Sequence, residues 1–209
     1  MSSGANLFAT IQSGGVVVYI LIACSIVSIT IMIERVIYYR KLSMVKRSIF
    51  MAEIAGEIEK GNIKKAITLC DGVNAPFARV TKAGLHLNSR NERLVSQAME
   101  REIVIETIKL ERFISVSATI GSTAIYIGLL GTVLGVMRAF HDISLNGAGG
   151  INVIIGGISQ SLVATAAGLI VAIPALISYN YFVRRIDHFV ADMELCLSEL
   201  VDLLCIKQE

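Results

Sequence analysis

Charged residues are missing from three long stretches of this chain and dense between them. Residues 16–33 form an 18-residue apolar run that ends at Glu34-Arg35. Residues 113–137 run 25 positions without a charge between Arg112 and Arg138, and residues 143–183 form another uncharged run, broken only by the turn NGAGG at 146–150. About 20 apolar residues cross a bilayer as a helix, so the pattern predicts an all-α membrane protein with three spans. Their expected bounds are 16–33, 113–138 and 151–183, with a loop at 139–150 between the second and third. Residues 1–15 are a polar N-terminal segment, 34–112 a charged helical section and 184–209 a C-terminal helix.

The charged section reads as helices separated by turn signals. Residues 53–60 (EIAGEIEK) end at Gly61-Asn62, a C-cap signal. Residues 63–70 make a second helix, and Asp71-Gly72 with Asn74-Ala75-Pro76 a turn cluster before a third at 77–87. From Asn91 no Gly or Pro interrupts until Gly121, and Leu94, Ala98, Ile105 and Ile108 keep one apolar face. An unbroken helix from 92 to 140 follows, about 70 Å long at 1.5 Å per residue. The third span likewise continues past Pro174 and Arg184-Arg185 into a tail where Phe189, Met193, Cys196 or Leu197, and Leu200 or Leu204 repeat at helical spacing. The second and third spanning helices thus extend into the charged section.

Charge sets the orientation. Residues 34–112 hold 15 of the 19 Lys and Arg. Arg35, Arg40, Lys41, Lys46 and Arg47 follow the first span, which by the positive-inside rule puts that end in the cytoplasm and the N-terminus outside. Arg184 and Arg185 mark the cytoplasmic exit of the third span. The first span lacks a basic segment before it and a small-residue cleavage site, so a retained helix is expected rather than a signal peptide. Overall composition agrees, with 54% hydrophobic and 17% charged residues against about a quarter charged in soluble domains. A net charge of +2 makes no case for a nucleic-acid partner.

Small residues recur inside the second and third spans at three- and four-residue spacing. Gly121, Ala124, Gly128, Gly131 and Gly135 form one stripe; Gly157, Ser161, Ala164, Gly168 and Ala172 form the other. Such stripes let helix backbones approach closely in membranes, and they predict association through these helices. Thr132 follows Gly128 by four residues and Thr165 follows Ser161 by four, so each hydroxyl lies within about 40° of its stripe. A membrane Thr ordinarily bonds a carbonyl of its own helix; the alternative is a polar seam that lines a pore or faces a buried partner. Gln160, an amide costly in hydrocarbon, adds weight to the seam, although it sits about 140° from Thr165.

Neither uncharged run contains an Asp, Glu, His, Lys, Arg or Cys. A proton relay needs a titrating group, so either conduction is through water alone or a second protein supplies the carboxylate. His86, His141 and His188 are too scattered for a metal site, and Cys24, Cys70, Cys196 and Cys205 show no ligand spacing, so no metal or cofactor is expected. Glu100, Arg101, Glu102, Glu106 and Lys109 read as a solvated, salt-bridged face. GLLGTVLG lacks the Lys-Ser/Thr ending of a phosphate loop. Nothing suggests an enzyme.

YIGLLGTVLGVMRAF (126–140) and GISQSLVATAAGLIVAIPALISYN (157–180) resemble the MotA/TolQ/ExbB proton-channel family, closest to its ExbB and TolQ branch. Glu34-Arg35 matches as well. The resemblance implies a homopentamer in the bacterial inner membrane whose second and third helices line a pore. That pore holds the helices of an ExbD/TolR-type partner, whose Asp carries the proton, and a TonB/TolA-type protein is a further candidate partner. Thr132 and Thr165 match pore-facing threonines of the family, with Ser161 beside them. At Gln160 the family pattern usually has Glu. Gly128, Gly131, Gly135, Gly157 and Gly168 are expected at helix contacts. The resulting expectation is a stator or channel subunit of a proton-driven motor complex that does work at the cell envelope. The rival is a non-conducting scaffold that clamps partner helices in the lipid.

Overall fold

The computed structural model describes residues 15–87, 91–146 and 151–206. These are helical apart from short connections, with no strand among them. In order they form α1 (Gly15–Leu42), α2 (Arg47–Glu59), α3 (Ile63–Gly72), α4 (Pro76–Leu87), α5 (Glu92–Glu111), α6 (Ile114–Asn146) and α7 (Ile151–Val201), followed by a π-helical turn, Asp202–Ile206. The short helices lie where the turn signals put them, although α2 begins at Arg47, earlier than expected. Most of the N-terminal segment and residues 147–150 of the expected turn lie outside the described residues. Residues 139–146, expected as loop, continue α6, because no Gly or Pro interrupts before Gly147.

The chain forms two compact units, Met1–Ile33 with Phe113–Asn180, and Glu34–Arg112 with Tyr181–Glu209. The first is apolar. Its helices are long and apolar enough to cross a membrane, yet in the most apolar 18 residues of α1, α6 and α7 only 17, 22 and 33% are buried. What is buried is mostly small or on one face: Leu21, Ile120, Ala124, Val171, Ala172 and Ala175. Large side chains such as Tyr126, Ile170 and Ile177 point outward. Pro174 lies inside α7, where membrane helices tolerate the missing backbone donor.

The second unit is built the opposite way. Ile54, Val80, Leu85, Met99, Leu110, Phe182, Met193 and Leu200 are fully buried. Tyr39 stacks edge-on against Phe182 at 5.6 Å, and Phe50 lies 5.2 Å from Phe77. Gly84 lies against this packing: a Cβ there would stand 2.7 Å from Leu200 Cδ2 and Met99 Sδ, so those side chains would have to shift. In the tail of α7 and the turn after it, Phe189, Met193, Cys196 and Leu200 are among the buried residues, while Leu197 and Leu204 are half-buried.

Two expectations for α5 are corrected. Its buried face is Val95, Met99, Glu106 and Leu110, whereas Leu94, Ile105 and Ile108 are exposed. Glu106 is therefore not on a solvated face. It is 1% exposed and held by Arg79 and Lys109, each at 2.6 Å. Two cations make the burial of a carboxylate tolerable, and periodicity of apolar residues does not register them.

The second correction is that no single helix runs from 92 to 140. Glu111 ends α5, and Phe113 adopts φ 64°, a left-handed conformation. For a non-glycine residue this costs about 1–2 kcal/mol. The Leu110 carbonyl at this end is taken from outside the helix, by the Tyr39 hydroxyl at 2.8 Å and by Arg35 Nη1 at 3.3 Å. A net hydrogen bond is worth roughly 1 kcal/mol, and more from a charged donor. These two bonds replace the one helical bond lost at the break, and the surplus offsets part of the cost of the left-handed residue.

Candidate functional site

Helices α6 and α7 lie antiparallel and are held close by their small residues. A Cβ on Gly128 would stand 2.9 Å from the Ala164 carbonyl oxygen and 3.2 Å from Gly168 Cα. One on Gly168 would stand 2.6 Å from the Ala124 carbonyl oxygen. Here backbone meets backbone, and no side chain can move aside. The same register continues in both directions. Gly121 abuts the Leu176 backbone, Gly131 meets the Ala164 methyl and Val17 of α1, Gly135 meets Ser161, and Gly157 meets Ala139. These faces of the stripes are thus occupied within one chain, and copies of the chain would have to meet through other surfaces.

The hydroxyls of the seam divide. Thr132 is half-buried and donates to the Leu129 carbonyl of its own helix at 2.6 Å. Ser161 does the same to Ile158 at 2.8 Å. Thr165 instead donates across to the Gly128 carbonyl on α6, at 3.2 Å. In the α-helical ladder that carbonyl also takes the Thr132 amide. The Thr165 bond was not among the sequence expectations, which set own-helix bonding against a pore-facing seam. A glycine facing Thr165 was the available signal, because only a missing Cβ lets the hydroxyl reach the neighbouring backbone.

Gln160 and Ser161 share a cavity of about 400 Å³ at one end of the unit, together with Arg138 and Asp142. Gly131, Gly135 and Gly157 shape its wall, and α1 enters it at Gly15. Thr132 and Thr165 do not line it, and for Thr165 this agrees with its angular separation from Gln160 on the same helix. Arg138 and Asp142, read from sequence only as flanking charges, are the ionisable groups of this cavity. Their position, directly after a 25-residue uncharged run, was the signal for them.

Among the described residues no group of three or more His, Cys, Asp or Glu converges as a metal would require. Burial pushes the Cys70 thiol up to about 12, which leaves little thiolate at neutral pH. Between Phe113 and Met137 and across 151–180 the unit offers hydroxyls, amides and carbonyls, and no side chain that exchanges a proton near neutrality.

Comparison with known proteins gives this arrangement its context. Residues 73–195 match the model of the MotA/TolQ/ExbB proton channel family. An ExbB homolog of Methanothermobacter thermautotrophicus is 30% identical over 194 residues, covering 91% of this chain and 69% of that protein. The biopolymer transport protein ExbB of Xanthomonas campestris pv. campestris (strain B100) is 35% identical over 54% of this chain and 45% of its own. The Tol-Pal system protein TolQ of Pseudomonas aeruginosa is 43% identical over 44% of this chain and 39% of its own. The chain thus aligns with less than half of the length of the last two.

Proposed function

The chain belongs to the MotA/TolQ/ExbB proton channel family, and from that membership we propose that it is the channel or stator subunit of a proton-driven complex in the bacterial inner membrane. Its copies surround the spanning helices of an ExbD/TolR-type partner, as a homopentamer. The N-terminus is periplasmic and the C-terminus cytoplasmic. Proton flow is converted into movement of the partner, and so into work at the envelope through a TonB- or TolA-type protein. The subunit performs no covalent chemistry.

The observation that supports this reading is the close pairing of α6 and α7 into a wall with polar but non-titrating side chains. Such a wall needs a carboxylate from elsewhere to carry a proton. The partner's carboxylate takes a proton on the periplasmic side and releases it on the cytoplasmic side. While charged, it needs hydrogen-bond donors at bilayer depth, and hydroxyls supply them. Thr132, half-buried, is suited to this role, since rotation releases it from its own carbonyl, whereas Ser161 is buried against Gly135 and reaches only the cavity at the end of the unit. Thr165 is committed to Gly128 and holds the wall together. The amide at Gln160 cannot relay a proton, so the cavity it shares with Arg138 and Asp142 serves as an entrance whose ionisable groups are those two.

The test is proton flux into liposomes that contain the subunit with its partner, read with a pH-sensitive dye. The complex conducts, the subunit alone does not, and Asp→Asn in the partner's spanning helix abolishes the flux. An assembled complex that conducts nothing would favour the non-conducting scaffold instead. Orientation is checked separately. A cysteine introduced at Ala148 labels from the periplasm and one at Gly72 only after permeabilisation; the reverse would overturn the topology.

A further inference from the structure

The apolar unit of this chain is almost empty of ionisable side chains. Across Met1–Ile33 and Phe113–Asn180 the charged and histidine residues are Arg138, His141 and Asp142, all near the C-terminal end of α6. Asp142 is therefore the one carboxylate side chain of the unit, and it stands on the wall of the cavity of about 400 Å³. Into the same cavity α1 brings Gly15, Val16 and Val17, and α7 brings Gln160 and Ser161 among glycine and alanine. None of these is charged, so Arg138, four residues earlier on α6, is the other ionisable group that faces Asp142 there. His141 lines a separate groove with Met137 and Phe140. Asp142 is exposed and makes no ion pair or hydrogen bond among the described residues. Its charge is thus not used to hold the helices together, and an ionisable group in a membrane unit points to function.

We propose that Asp142 is the proton-loading group of this cavity, a role that rests on the channel reading. An ionised carboxylate at the mouth of a cleft raises the local concentration of protons, which are scarce in neutral water. The carboxylate takes a proton from water outside, forming an O–H bond. That bond breaks as the proton passes to water in the cavity, which has room for on the order of ten molecules at about 30 Å³ each. The Gln160 amide and Ser161 hydroxyl orient that water and exchange no proton themselves. The partner's carboxylate then receives the proton, and Asp142 is left charged for the next one. A guanidinium cannot pass a proton on near neutrality, which leaves Asp142 as the lining residue that can. Because Gln160 reaches the same cavity from α7, what the cavity requires is a carboxylate, on either wall.

The test uses the subunit with its partner in liposomes, with proton flux read by a pH-sensitive dye while the pH on the side of proton uptake is varied. Asp142→Asn is expected to lower flux about 100-fold near pH 7.5, the low end of what a positioned proton donor contributes. The loss shrinks towards about pH 5.5, where water delivers protons unaided. Asp142→Glu keeps the parental flux, and Asp142→Asn/Gln160→Glu regains most of it from the opposite wall. His141→Gln keeps both the flux and its pH profile. Asp142 is exposed and Asn matches its shape, so the variants are compared at the oligomer mass of the parent. A parental complex that conducts nothing removes the channel reading and this role with it. A conducting complex whose Asp142→Asn variant keeps parental flux at every pH overturns the proposal alone. So does a loss that is equal at every pH and unrelieved by Gln160→Glu, since Asp142 would then shape the cavity without loading protons. A pH-dependent loss in His141→Gln with Asp142→Asn unaffected would move the role to His141 and overturn it as well.

Discussion

The two units of this chain bury opposite things. The unit of Glu34–Arg112 and Tyr181–Glu209 hides Phe182, Met99, Leu110 and Met193 and closes with ion pairs such as Arg47–Glu199. The unit of Gly121, Gly128 and Gly168 hides glycines and alanines, and exposes leucine, isoleucine and tyrosine. In water, removal of large apolar surface is the dominant stabilising term. Lipid tails are as apolar as leucine, so that term vanishes there, and close backbone packing with a few hydrogen bonds replaces it. The small-residue stripes are therefore the core of the first unit in the way that Phe182 is part of the core of the second.

The contrast can be broken by substitutions of graded effect. Phe182→Ala should be the most damaging, at about 3–5 kcal/mol for a buried aromatic. Loss of protease resistance in the Glu34–Arg112 and Tyr181–Glu209 unit measures it. Leu129→Ala, on the exposed surface of α6, should cost little by comparison. A large loss from Leu129→Ala would mean that this face is an interface rather than lipid-facing.

Next comes Gly168→Ala, which puts a methyl 2.6 Å from the Ala124 carbonyl oxygen. Overpacking of this kind costs about 1–3 kcal/mol. Its effect should appear in the thermal unfolding of the single subunit in detergent, before any change in oligomer mass. If only the oligomer mass changes, the stripes serve contacts between copies rather than the fold of one.

Thr165→Val sharpens the comparison further, since it keeps volume and loses one bond to Gly128. Hydrogen bonds between membrane helices average roughly 0.6 kcal/mol, so the melting temperature should fall only slightly. Thr165→Ser should retain most of it. The smallest effect is expected at Ile108, which is 63% exposed on α5. Ile108→Ser should stay within about 0.5 kcal/mol of the parent, measured by thermal unfolding. A larger loss would place a second copy or a partner on that helix.

Local pattern carried much of this molecule. Charge-free length alone located the three helices long and apolar enough to span, turn residues placed α3 and α4 to within two residues and only the end of α2, and the glycines of the two stripes lie where α6 and α7 touch. These features are legible because each depends on residues a few positions apart. The buried side of α5 was not legible, because the apolar count favours Leu94, Ile105 and Ile108, while Arg79 and Lys109 make Glu106 a core residue. Nor was the break at Phe113, where the decisive donors are Arg35 and Tyr39, more than 70 residues away in sequence. At Thr165 the sequence offered a hydroxyl at bilayer depth, and only the crossing of two glycines decided that its bond goes to the neighbouring helix. Periodicity records what each helix prefers. Which carbonyl a distant donor reaches is decided by packing, and in this chain that packing sets where a helix stops and what a threonine holds.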